Sequence, residues 1–301
     1  MNIIKLIKKV MPKPRESGDQ LEVALCILLD SLQLKCTTPE KRDKLYACYN
    51  NAAIGIDQNT LANSVRHILP NNPTHFYMTL DNDGSKGITS DVYVCNETSS
   101  IGISCKRNNL SIKHQRPRAL IQHLMLDKET ELLYKTEYDK LIGDFFNTAN
   151  SSKHTLFNQV TNLKNKLYSD INELACKYIS AASDENKLHL IKFMLSANEK
   201  NSFILHYNDK NKSFKVCKLA ISIDTIKSFN VTCKKTNYLE IECNTIKFVL
   251  RIHNASSRIT KEVSVKYDTK LLDYDSVFAP IVPVVHVVPE VPVVPINVTV
   301  N

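Results

Sequence analysis

Three polar side chains between Gly87 and Leu120 could act together on a phosphate ester: Asp91, Ser104 and Lys106. Ser90 to Cys95 reads as a strand, Asn96 to Ser100 as a turn, and Ile101 to Lys106 as the antiparallel partner. Side chains alternate faces along a strand, so Gly102, Ser104 and Lys106 share one side while Ile101, Ile103 and Cys105 share the other. The hairpin then sets Asp91 at the strand edge, beside Ser104 and Lys106. An aspartate is a hard oxygen ligand for Mg2+, and a neighbouring lysine can orient an attacking water and offset charge developing on the phosphate. The chemistry expected is Mg2+-dependent phosphodiester hydrolysis. The spacing alone is weak, because Asp, Ser and Lys are common residues.

The sequel strengthens it. From Thr98 to Leu126 there is no acidic residue, while Lys106, Arg107, Lys113, Arg116 and Arg118 all fall within that stretch. Asn108, Asn109, His114 and Gln115 are interleaved with them. A solvated charged face normally mixes signs, whereas charge of one sign beside a metal site suits a polyanion. Arg, Lys and Asn side chains hold phosphates or read base edges.

These residues resemble the PD-(D/E)xK nuclease superfamily, and more closely the HaeIII-like type II restriction endonucleases. The core of that family runs as an acid, a hairpin, a GxSxK strand and a K-H-x-R run. The matching residues here are Asp91, then Gly102-Ile103-Ser104-Cys105-Lys106, then Lys113-His114-Gln115-Arg116. A second match is FVLRIHNASS at Phe248 to Ser257, followed by the strand VSVKYD. The two motifs span about residues 87 to 272.

The resemblance implies an α/β (mixed α+β) fold with a restriction-endonuclease-like core, a mixed sheet flanked by helices and a β-rich segment near the carboxyl end. It implies Mg2+-dependent, site-specific cleavage of double-stranded DNA, with GGCC as the target. A palindromic target favours a homodimer, and a cognate DNA methyltransferase is the expected genetic partner. Asp91, Ser104 and Lys106 become the catalytic set. Arg107, Asn108, Asn109, Lys113, His114 and Arg116, with Arg251, His253, Asn254, Ser256 and Ser257, become the DNA contacts. The alternative is a catalytically inactive DNA-binding protein on the same scaffold.

Two positions depart from the superfamily pattern. The proline before the acid is Ser90, and the middle acid of D/E-x-K is Ser104, which removes a carboxylate. The metal would then rest on Asp91, the Cys105 carbonyl, water and a further acid. Glu22 is the candidate, because a lone acid in an apolar helix needs a partner or an ion. The competing reading is a partly exposed first-turn glutamate favoured by the helix dipole. His114 has a plain alternative as a surface hydrogen-bonding residue, and the Arg251 to Ser257 segment as a turn that closes a hairpin. A thiol-protease reading of Cys105 and His114 fails, because Cys105 points to the core side of its strand.

The elements that must position these groups follow from periodicity. Helices are expected over Gln20–Leu34, Pro39–Ala53 and Thr60–Leu69, and a strand over Phe76–Leu80. Asp81 to Ser85 carries turn residues. Helical segments resume at Pro117, Glu131–Asn147, Leu156–Ser180 and Asn186–Leu195. After Ser202 four or five strands alternate: SFILHY, SFKVCKLAI, TNYLEIEC, TIKFVLRIH and KEVSVKYD. The expected organisation is a nuclease core over 1–200 with the hairpin at 88–106, a β-rich segment over 201–275, and a Pro/Val-rich extended tail over 276–301.

Composition agrees with a folded, basic protein. The 301 residues carry 39 Lys and Arg against 31 Asp and Glu, and 43% are hydrophobic, which excludes disorder over most of the length. Six glycines, with neither a Walker loop nor GxGxxG, exclude the common nucleotide-binding loops. Nine scattered cysteines without a CxxC pair argue against a zinc ribbon and for a reducing, cytoplasmic setting. The amino-terminal stretch lacks the apolar core of a signal peptide. Repeated prolines in the apolar carboxyl end argue against a membrane helix.

Overall fold

The structure, a computed structural model, describes residues 18–49, 55–80, 88, 90–108, 111–197, 201–234, 236–244, 246–281 and 285–286. Two sheets carry the fold. The first is mixed, in the order β1 (Lys35–Cys36), β2 (His75–Met78), β3 (Val92–Cys95), β4 (Ser100–Arg107), β6 (Ser202–Asn208), β7 (Ser213–Leu219) and β12 (Phe278–Pro280). A further short strand, β13 (Val285–His286), also pairs with β7. The second sheet is antiparallel, in the order β5 (Ser111–Gln115), β11 (Val265–Leu271), β10 (Ile246–Asn254), β9 (Tyr238–Cys243) and β8 (Phe229–Lys234).

Helix α1 (Gly18–Ser31) lies on one face of the first sheet, together with α3 (Gln58–Val65), and α2 (Pro39–Cys48) packs against α1. The nearly all-apolar composition of α1 follows from this position. Leu21, Val23, Ala24, Leu25, Cys26, Leu28 and Leu29 are all buried against the alternate residues Val92, Val94, Ile103, Cys105, Leu205, Phe214 and Val216. Asp57 caps α3 by accepting from the Thr60 N–H at 2.6 Å.

The second core lies between the other sheet and α4 (Lys128–Ser151), α5 (Thr161–Ala181) and α6 (Asp184–Met194). Tyr134, Tyr138, Ile142, Phe145 and Ala149 form one buried stripe along α4 at helical spacing. A polar pin joins α5 to the sheet, where the buried Tyr267 hydroxyl donates to Asn172 Oδ1 at 2.8 Å. An unpaired buried hydroxyl would cost about 1–3 kcal/mol.

The mixed α/β class matches expectation, and the elements fall near their expected places. Helix α4 runs further than Glu131–Asn147 at both ends; its earlier start follows from the cap at Asp127, which accepts from the Thr130 N–H at 2.8 Å. Helix α5 starts at Thr161 rather than Leu156, since Phe157–Gln159 forms a separate 3-10 turn. Five strands were not anticipated: the short β1, β12 and β13, then β8, and β5, whose Ser111–Gln115 read as a basic run. The sheets also interleave across residue 200. Strands β6 and β7 complete the first sheet, and β5 belongs to the second, so the β-rich segment completes both. Asp81–Ser85, Gly87, the amino-terminal stretch and most of the Pro/Val tail lie outside the described residues. Among the described residues no helix is long and apolar enough to cross a membrane.

Candidate active site

The β3–β4 hairpin forms as expected, with Val92 opposite Ile103 and Tyr93 opposite Gly102. Asp91 sits just before β3, where its N–H donates to the Ile103 carbonyl at 2.9 Å. Strand β4 extends past that end. The next outward N–H on the same edge, that of Cys105, therefore meets no strand and donates instead to Asp91 Oδ2 at 2.7 Å. In a strand the N–H and C=O of one residue point the same way, so the Cys105 carbonyl also faces the edge where β3 has ended. Ser104 Oγ donates to the same Oδ2 at 3.3 Å.

Ser104 is 9% exposed. It lines a small gap of mixed character, with Ser90, Ser196 and Ser202 beside apolar residues that include Leu195, Leu219 and Phe278. Its contact with Asp91 makes it a positioning residue for that carboxylate.

Glu22 enters from the first turns of α1, half-buried, and its carboxyl is pushed up to about 8. Burial is the main cause, and the Asp91 charge is the next. Lys41, Asp19 and Lys106 act on it more weakly, the two lysines opposing the shift. Both glutamate readings keep support: Glu22 is a half-buried residue near the start of its helix, and the Asp91 charge acts on it. Lys41, on α2, was not anticipated; its ammonium donates to the Thr79 carbonyl and tethers α2 near the end of β2. The Cys105 thiol is buried and raised well above its ordinary value by burial, then by Asp91 and Glu22, so it is inert.

Among the described residues no three His, Cys, Asp or Glu side chains form a set able to hold a metal ion. Asp91 and the Cys105 carbonyl are oxygen donors of the kind Mg2+ takes from protein, alongside several waters.

The basic residues separate into two groups. Arg107 is committed within the fold. It pairs with Asp209 (Nη2 to Oδ1, 2.8 Å), donates to Gln20 Oε1, and lies 5.7 Å from the Tyr207 ring centroid. Asn108, in the left-handed region at φ 58°, accepts from the Asp209 N–H at 2.8 Å. Lys113 is 8% exposed, with its ammonium 4.6 Å over the Phe193 ring. Asn254 holds its own loop by donating to the Ser256 carbonyl at 2.6 Å, and Ser256 Oγ accepts from the Arg258 N–H at 3.1 Å. The turn reading fits those two residues better than a DNA contact does. Asn109 lies outside the described residues.

The second group is exposed or half-buried on the outer face of the second sheet. Asp268 on β11 stands opposite His114 on β5 and Arg251 on β10. His114 Nδ1 lies 2.5 Å from Asp268 Oδ1, His253 Nε2 lies 2.9 Å from Oδ2, and Arg251 Nη2 donates to Oδ2 at 3.3 Å. Burial alone would raise Asp268, but the hydrogen bonds and charges of His253 and His114 hold it below the usual carboxylate range. Arg116 is exposed and donates to Ser264 Oγ at 2.6 Å. Ser257 is exposed on the loop after β10.

His114 is held below its ordinary value first by burial and next by the charge of Lys106, ahead of the opposing pull of Asp268. On the first sheet Lys106 pairs in register with His206, and His206 with Lys215, giving a basic row across β4, β6 and β7. His206 and Lys215 were missed because nothing in the sequence marks their register with Lys106. Asp268 was missed because it lies in an ordinary alternating strand. No protein-family model, curated protein or solved structure matches the chain.

Proposed function

We propose that this protein is a Mg2+-dependent endonuclease hydrolysing double-stranded DNA at a short specific site, a type II restriction endonuclease with a PD-(D/E)xK core. The observation that carries the reading is the hairpin that seats Asp91 against the Ser104 hydroxyl and the Cys105 N–H, next to Lys106 in the chain, where β3 ends and β4 runs on. The basic residues on the outer face of the second sheet support a polyanionic substrate.

Asp91, Glu22 and the Cys105 carbonyl would hold Mg2+, which when bound offsets charge on the scissile phosphate and lowers the pKa of a water. Ser104 Oγ and the Cys105 N–H keep Asp91 Oδ2 fixed, so the other oxygen can serve a ligand without a rotamer change. Lys106 has three donors and no acceptor, and it orients the attacking water and the phosphate oxygens. Arg251, His253, Arg116 and Ser257 supply the polar groups along which the DNA backbone runs. The HaeIII-like motif makes GGCC the target to try first, a homodimer the expected assembly, and a DNA methyltransferase the expected genetic partner. A cytoplasmic setting accords with nine cysteines that are all free thiols.

A second reading is supported by Ser104. A hydroxyl stands where the superfamily has a carboxylate, so a catalytically silent DNA-binding protein would keep every other contact. Incubation of the full chain with unmethylated supercoiled plasmid, in Mg2+ and in EDTA, separates the two. Discrete fragments in Mg2+ alone are expected. DNA binding without cleavage in either Mg2+ or Mn2+ would favour the silent protein.

A further inference from the structure

We propose that Cys176 and Cys233 form a modification site, which an oxidant of the small-molecule disulfide class converts into a reversible disulfide that fastens strand β8 to helix α5. Nothing in this depends on the nuclease reading.

The two sulfurs are placed by reciprocal contacts. Cys233 Sγ, on β8, donates to the Asn172 carbonyl of α5 at 3.2 Å. In an α-helix that carbonyl also accepts from the N–H four residues on, which here is that of Cys176. In the other direction, Cys176 Sγ donates to the Val231 carbonyl at 3.6 Å. Val231 lies two residues before Cys233, on the same side of the strand. Each thiol therefore sits against the backbone that carries the other, and the Cys176 thiol is within hydrogen-bonding reach of Cys233.

Access suits exchange with a small molecule. Cys233 is exposed and Cys176 half-buried, whereas Cys26, Cys95, Cys105, Cys217 and Cys243 are buried. The Cys233 thiol is pushed up to about 12, by burial first and then by the Cys176 charge and hydrogen bond. A thiol so held stays protonated and reacts only when oxidant is abundant, which suits a latch that is open in a reducing compartment. Strand β8 is the last of the second sheet, paired with β9 alone among the described residues. A covalent tie to α5 secures a strand that has one ladder only.

The step balances. The Cys233 thiolate attacks one sulfur of the small disulfide, forming a mixed disulfide and expelling one small thiolate. The Cys176 thiolate then attacks Cys233 Sγ, the mixed S–S bond breaks, and the second small thiolate leaves. Two electrons pass from the protein to the oxidant, and the two protons shed by the cysteines end on the two released thiols.

The test uses the full chain without DNA, incubated with oxidised glutathione and quenched with N-ethylmaleimide. Trypsin should release Leu167–Lys177 joined to Ser228–Lys234, and dithiothreitol should separate them. Amide exchange in β8 is expected to slow about tenfold in the oxidised protein and to recover on reduction. Cys176→Ser should halt at the mixed disulfide on Cys233, with no slowing in β8. Two wild-type thiols that remain fully alkylated, glutathione left on Cys233, or a bond from either residue to another cysteine would each overturn the proposal, whatever the protein does to DNA.

Discussion

The Cys105 N–H donates to Asp91 Oδ2 at 2.7 Å, two residues past Ile103, where the β3–β4 ladder stops. The missing ladder bond is thus made by a side chain, and the candidate metal ligand is fixed by the same register that forms the hairpin. Two oxygens of one carboxylate acquire different duties: one is structural, the other is open to a ligand.

Replacement at this position should separate fold from chemistry. Asp91→Asn retains an oxygen acceptor for the Cys105 N–H, so stability is expected to change by no more than about 1 kcal/mol. Plasmid cleavage should fall by about 10²–10³-fold or more, as should that of Lys106→Ala, with duplex binding retained in both. Cutting by either variant at the wild-type rate would remove the site assignment.

Glu22 gives the fold a pH dependence of unusual sign for a carboxylate. Its folded-state value of about 8 lies above the ordinary 4.5, so between these values the folded protein binds more protons than the unfolded chain. Stability measured without divalent ions should therefore decline as pH rises from about 4.5 to 8 and level off beyond. Glu22→Gln should remove that component of the decline. Mg2+ at a hundred times its Kd should stabilise the wild type at pH 8.5 by about 2.7 kcal/mol, and the variant by clearly less. Melting curves with equal slopes for both proteins would contradict the placement of Glu22.

Gly102 has no room for a methyl group. A Cβ there would collide with Ser90 Oγ and stand 2.8 Å from Ser90 Cβ and 3.0 Å from Tyr93 Cε1. Gly102→Ala should cost about 1–3 kcal/mol of stability by overpacking. Ser90 precedes Asp91, so the shift should also lower cleavage, measured well below the melting temperature, more than an equally destabilising change on α5 does.

Two arginines carried the same expectation and should behave oppositely. Arg107 is tied to Asp209 and Gln20, and Arg107→Ala is expected to cost about 1.5–3 kcal/mol in denaturant unfolding. Arg251 is half exposed, and Arg251→Ala should leave stability within about 0.5 kcal/mol. It should weaken duplex binding and reduce the salt slope by about one. A reversed pattern would mean the DNA lies against the other edge of the sheet.

The hairpin was legible because strand alternation and turn residues are local signals. The sharing of a face by Ser104 and Lys106 needs only a period of two. The partners of Arg107, Asn108 and Lys113 were not legible for one reason: a run of basic residues says nothing about side chains a hundred positions away. Asp209 meets the first two, and Phe193 lies under the third. Strand β5 was hidden by the same charge, because its partner β11 follows about 150 residues later. Asp268 could be found only through that pairing.

The parallel pairing of β4 with β6 has a consequence for biosynthesis. Ser100–Arg107 leaves the ribosome nearly a hundred residues before its neighbour Ser202–Asn208, and β11, with Asp268, later still. Until then the strand bearing Lys106 has one bare flank, and His114 has no carboxylate to hold it. A nascent chain therefore carries the Asp91–Lys106 hairpin well before the strands that pack beside it exist.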